Sequence, residues 1–141
     1  MGFQEVYDAA AEAWAAAVRA HNSGIDDAIA SCRSKINKLQ ALHDSLLEFK
    51  GKCETYYDNF NTINSSKKRK ITNLKTTVLN SSVKDTYISS MNMTFYQMAN
   101  KRMEQDLWVP FGILIDDKLQ YYKDEIAKLE AKIRDLQNDY W

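Results

Sequence analysis

The residues that could do chemistry are few, and their spacing does not suit them to it. The chain of 141 residues has two histidines, His21 and His43, and two cysteines, Cys32 and Cys53. None stands at a spacing that closes a tetrahedral metal site. His43 falls on an apolar helical seam, where a single imidazole reads as a tolerated polar group or a register device. Carboxylates pair at Asp26-Asp27 and Asp116-Asp117. Both pairs lie near expected helix starts, where acids offset the positive end of the dipole. Nothing implies the apolar concavity that would tune them for general acid–base work. No Ser/His/Asp or Cys/His set can be assembled, and there is no Gly-rich phosphate loop. The expectation is a protein that is not an enzyme, with no cofactor, no metal and no small-molecule substrate.

One charge cluster stands out, Lys67-Lys68-Arg69-Lys70. It reads either as a nucleic-acid or localisation patch or as a solvated helical turn behind a Ser cap. The run is short and has no interleaved aromatics for base stacking, which favours the solvated turn over a nucleic-acid partner.

The elements around these residues are helical. Apolar residues make up 45% of the chain, with one Pro and four Gly, and the formal net charge is zero. That supports one folded domain with a core and no overall electrostatic steering. Cys32 and Cys53 would lie about 31 Å apart on one straight helix, too far for a disulfide. No apolar run reaches the length of a membrane span, and no secretory signal is present. The expected location is cytoplasmic, with any export independent of a cleavable signal peptide. Met1-Gly2 is not followed by a myristoylation pattern, because Val6 replaces the needed Ser or Thr. Three Asn-x-Ser/Thr sequons, at Asn64, Asn80 and Asn92, read as chance without a signal peptide.

Residues 1–24 form an Ala-rich helix with Glu5, Asp8 and Glu12 toward its start, either a docking helix or an added segment. Asn22-Ser23-Gly24 reads as a stop and re-start. In the long helix expected over 25–63, Ile25, Ile29, Cys32, Ile36, Leu39, His43, Leu46, Lys50, Cys53, Tyr57 and Phe60 alternate steps of four and three, an a/d seam. Leu42, Leu47, Phe49, Tyr56 and Ile63 widen that stripe beyond what one neighbour covers. A bend near Gly51 is expected. Shorter helices are expected over 64–106, with Asn64-Ser65-Ser66 as an N-cap, Ile71, Leu74 and Val78 as one stripe, and a break at Asn80-Ser81-Ser82. Val83, Tyr87, Met91, Phe95 and Met98 mark the next stripe. Residues 107–112 read as a corner, with Pro110 in the first turn of the last helix. Over 113–140, Ile115, Leu119, Tyr122, Ile126, Leu129, Ile133, Leu136 and Tyr140 keep the four-three alternation, and Glu130 and Arg134 stand as an i,i+4 ion pair. The fold class is all-α, an elongated antiparallel helical hairpin or bundle with coiled-coil-like long helices.

The coil from Ile36 to Phe60, the aromatic cluster Trp108 to Gly112, the heptads around Ile126-Ala127-Lys128-Leu129-Glu130 and the terminal Tyr140-Trp141 together resemble a known group. They are similar to the small helical YwqH-like and WXG100-like proteins associated with LXG toxins of type VII secretion. The likeness covers roughly residues 25–141. A Trp-x-Gly is absent; Trp108 and Gly112 are three residues apart with Pro110 between them, and residues 1–24 have no counterpart. The resemblance implies a partner or targeting chaperone for the helical N-terminal domain of such a toxin. Tyr121 followed by Glu125 matches the Tyr-x-x-x-Asp/Glu secretion signal of those systems, although the residues alone favour the reading as an ordinary i,i+4 pair beside the seam.

Sequence thus leads to a non-catalytic helical binding protein. Its expected contacts are Leu42, Leu46, Leu47, Phe49, Tyr56, Tyr57, Phe60, Trp108 and Phe111. Two alternatives stay open: a structural coiled-coil homo-oligomer, and a nucleic-acid-binding adaptor acting through Lys67 to Lys70.

Overall fold

The computed structural model describes residues 2–73 and 82–141. All elements among them are helical. α1 spans Phe3–Asn73 and α2 Ser82–Met91. A π-helical stretch, Asn92–Met98, leads to the short α3, Ala99–Arg102, and a second, Met103–Trp108, leads to α4, Val109–Asn138. The protein is all-α. No helix among the described residues is long and apolar enough to cross a membrane.

α1 is one uninterrupted helix of 71 residues. The expected stop at Asn22-Ser23-Gly24 does not occur, nor does the helix end at 63. A Gly inside a helix costs about 1 kcal/mol relative to Ala. The Ala-rich turns before Gly24 and the buried Ile25 and Ile29 after it outweigh that cost. Helix likewise passes through Gly51, and through Asn64-Ser65-Ser66. Asn64 does not cap; its Nδ2 donates to Oδ1 of Asn100 at 2.7 Å, so tertiary bonding replaces the local alternative. The expected break at Asn80-Ser81-Ser82 falls on residues outside the described ones except for Ser82, where α2 begins; Leu74 and Val78 also lie outside them.

The expected corner at 107–112 is also absent. Val109 takes ordinary right-handed helical angles, φ −64° and ψ −50°. Pro110 removes an amide donor and crowds the carbonyl four residues back. The chain answers with the π-helical turn ending at Trp108, a local widening rather than a break.

The chain divides into two compact units, and α1 and α4 contribute to both. Unit 1 is Met1–Asp44 with Gln120–Trp141. Its α1 part buries Ile25, Ile29 and Cys32 and half-buries Ile36, Leu39 and His43. In its α4 part Tyr122, Ile126, Leu129, Ile133 and Leu136 are half-buried. These are the seam residues expected from spacing. Trp141 closes the unit's end: it stacks on His21 at 3.9 Å and on Trp14 at 5.6 Å between centroids. Its backbone N–H donates to Asn22 Oδ1 at 3.0 Å, and the Asn22 amide returns a bond to its carbonyl at 3.4 Å. Asn22 therefore holds the end of the last helix instead of ending the first. Lys128 pairs with Glu125 at 3.1 Å, while the expected Glu130 and Arg134 are not paired among the described residues.

Unit 2 is Ser45–Leu119. Here α1 meets the returning chain antiparallel: Lys50 bonds Asp116, Tyr57 stacks on Trp108, and Asn64 bonds Asn100. Ile88, Ile115 and Leu119 are buried. Of the stripe expected through Val83, Tyr87, Met91, Phe95 and Met98, Met91 is half-buried and Tyr87 and Met98 are exposed, and the side chains of Val83 and Phe95 lie outside the described ones. Ile88, with no polar atom, takes the interior at 1% exposure, while its neighbour Tyr87 is 52% exposed. Both cysteines are free thiols on α1.

Candidate docking face

In unit 2 the α1 seam residues Leu46, Lys50, Cys53, Tyr57 and Phe60 are all at least half-buried. A second seam runs beside it at seven-residue spacing, through Phe49, Tyr56 and Ile63, and these are 49%, 73% and 54% exposed. Leu46, Cys53 and Phe60 belong to both seams, since the steps 46, 49, 53, 56, 60, 63 again alternate three and four. The first seam is covered by the returning chain. The second faces water.

The returning chain shows the same duplication. Trp108 and Ile115 turn inward, while Leu107, Phe111 and Leu114 are exposed at three- and four-residue steps. The two exposed stripes meet. Phe49 and Phe111 lie edge to face with centroids 6.0 Å apart. Cys53, Tyr56, Tyr57, Met103, Leu107, Trp108 and Phe111 line one cavity of about 280 Å³. The Tyr57–Trp108 stack, 4.5 Å and parallel, forms its floor, and no charged side chain lines it. A second cavity of about 390 Å³ follows further along α1, lined by Phe60, Asn64, Lys67, Lys70, Ile71, Met91 and Ala99.

The seam's least apolar position is satisfied here as well. The Lys50 ammonium donates to Asp116 at 2.8 Å, and that bond raises its pKa above the usual lysine value. One carboxylate of the Asp116-Asp117 pair therefore has a structural partner.

The structure brings Phe49, Tyr56, Tyr57, Trp108 and Phe111 of the expected contact set together, and Phe60 lines the second cavity. Leu46 is half-buried. Leu47 stands apart, roughly 160° around α1 from Phe49 at about 100° per residue. Leu42 continues the seven-residue spacing, is exposed, and belongs to unit 1. Leu107, Leu114 and Met103 were missed from sequence: Met103 and Leu107 lie in the second π-helical stretch, where a corner rather than helix was expected from residue 107, and Leu114 falls beside the seam through Ile115 rather than on it. Tyr121 is exposed on α4 in unit 1, its ring tilted against Tyr122, and Glu125 is half-buried and pairs with Lys128. Compared with known proteins, the chain matches no family model, no curated protein and no solved structure. Among the described residues no group of three or more His, Cys, Asp or Glu side chains could hold a metal ion.

Proposed function

We propose that this protein is a non-catalytic helical binding protein whose exposed face in unit 2 receives a helix of another protein. One observation carries the reading: Phe49, Tyr56 and Ile63 repeat at heptad spacing and face water beside a seam that is already covered. A heptad stripe in solvent is the half of a helix–helix contact that a partner helix completes. The aromatic-walled cavity beneath Tyr56 and Leu107 suits one large apolar anchor of that helix, the kind of pocket in which binding energy concentrates.

The partner class follows from the sequence resemblance. A helical N-terminal domain of an LXG-type toxin supplies such a helix, with this chain as its targeting chaperone and Tyr121 with Glu125 as the secretion signal. The test is co-expression of the chain with an LXG-type N-terminal domain, followed by co-purification. A stable complex that Tyr56→Glu with Ile63→Glu abolishes supports the proposal. Failure to co-purify removes the toxin assignment, and retention of the complex by that double variant removes the face.

A further inference from the structure

The first turns of α1 leave an amphipathic helix in solvent. Over residues 3–18 the only charged side chains are Glu5, Asp8 and Glu12; the first cation is Arg19. Phe3, Tyr7, Ala10, Trp14 and Ala17 repeat the four-three alternation. Phe3 is 91% exposed and Tyr7 65%. Trp14 lends a face to Trp141 yet remains mostly exposed. This is a strongly helix-forming, acidic segment with its seam turned to water.

The docking face in unit 2 ends on the opposite charge. Continued beyond Tyr56, Phe60 and Ile63, the same alternation reaches Lys67 and Lys70. Both lysines line the cavity of about 390 Å³, together with the apolar Phe60, Ile71, Met91 and Ala99. Among the described residues neither lysine has an ion pair. Met91 and Ala99 bound the first π-helical stretch, so the cavity opens where the helix is widened. An occupant must therefore be apolar along the seam and acidic at the end that reaches the lysines.

We infer that this occupant is the acidic N-terminal segment of a second copy of the chain. The match is one of register as well as charge. An antiparallel lay that sets Trp14 of one copy at the level of Phe60 of the other sets Tyr7 at the level of Lys67. Glu5 then falls between the levels of Lys67 and Lys70, and Asp8 one residue beyond Lys67. Carboxylates in a first turn also neutralise that helix's own positive end, which would otherwise be repelled by the lysines. Charge pairs at such a contact set register and partner choice. Self-association of this kind does not depend on the foreign helix proposed above, and it would occupy part of the same face.

The experiment is sedimentation velocity on the full chain over about a hundredfold concentration range, at low and high salt. Association should grow with concentration and weaken with salt. K67E with K70E, or E5K with D8K and E12K, should each weaken association by about tenfold or more, and the two sets combined in one chain should restore it. All five positions are exposed, so helical content by circular dichroism should persist; should a reversal unfold the chain, K67Q with K70Q and E5Q with D8Q pose the same question more gently. A chain that is monomeric throughout overturns the inference. So does association that both charge reversals leave unchanged, or a combined variant that stays as weak as its parents.

Discussion

Tyr57 of α1 and Trp108, at the end of the second π-helical stretch, lie ring over ring with centroids 4.5 Å apart and planes parallel. The pair joins the covered seam to the exposed face, because both rings line the apolar cavity that Tyr56, Leu107 and Phe111 share. Trp108 is half-buried, so Trp108→Ala should cost about 2 kcal/mol, below the range for a fully buried Trp. A double-mutant cycle with Tyr57→Leu should return a coupling of about 0.5–1.5 kcal/mol. With Trp14 and Trp141 replaced by Phe, Trp108 fluorescence reports unit 2 alone. A coupling indistinguishable from zero would mean the rings do not stack in solution.

The exposed stripe should separate stability from binding. Tyr56 and Ile63 are 73% and 54% exposed, so Tyr56→Glu and Ile63→Glu should each change unfolding free energy by no more than about 0.5 kcal/mol. Capture of a helical partner should fall by about 100-fold or more, the loss expected when hot-spot contacts are replaced by charge. Binding of an apolar dye should fall in parallel. Strong destabilisation with binding intact would place these residues in the core instead.

Much of this was legible in the residues themselves. Every seam position from Ile25 to Phe60 is buried or half-buried, as its spacing requires, because a continuous helix keeps the phase of an a/d pattern over many turns. The excess width at Phe49, Tyr56 and Ile63 was legible for the same reason. What could not be read was every point where a tertiary partner overrides a local signal. Asn22 and Asn64 carry stop and cap signals, yet their amides are spent on Trp141 and Asn100. Pro110 predicts a corner, but a π-helical turn absorbs it. Leu107 lies inside that turn and carries no signal of its own, whereas Trp108 stands out by residue type at the head of the aromatic cluster. Lys50 is a charge in an apolar seam, and only the fold sets Asp116 beside it.

The end of unit 1 should respond to alkaline pH. The Tyr140 hydroxyl donates to Oδ1 of Asp26, and this bond, ahead of partial desolvation, raises the phenol pKa above its ordinary 10.0. Folding thus favours the protonated phenol. The bond's contribution is complete below pH 10.0 and is lost as pH rises through the raised folded-state value. The wild type should therefore melt above Tyr140→Phe at neutral pH, and the gap should close in strongly alkaline buffer. A gap that stays constant through the phenol titration would mean the two variants differ for another reason.

Continuity of α1 makes the last prediction the most direct. Gly24 and Gly51 both lie within the helix, and a Cβ built on either meets nothing within 4 Å. Ala there adds no clash and removes backbone freedom from the unfolded chain. Gly24→Ala and Gly51→Ala should each stabilise by about 0.5–1 kcal/mol, and together by about the sum, since the sites share no neighbours. The check is chemical denaturation followed by helical circular dichroism. If the chain instead turned at Asn22-Ser23-Gly24, or bent at Gly51, the glycine would be needed for a conformation that Ala resists, and the sign would reverse. Two stabilising substitutions would fix the helix as unbroken at both positions; one destabilising substitution would locate a break in α1.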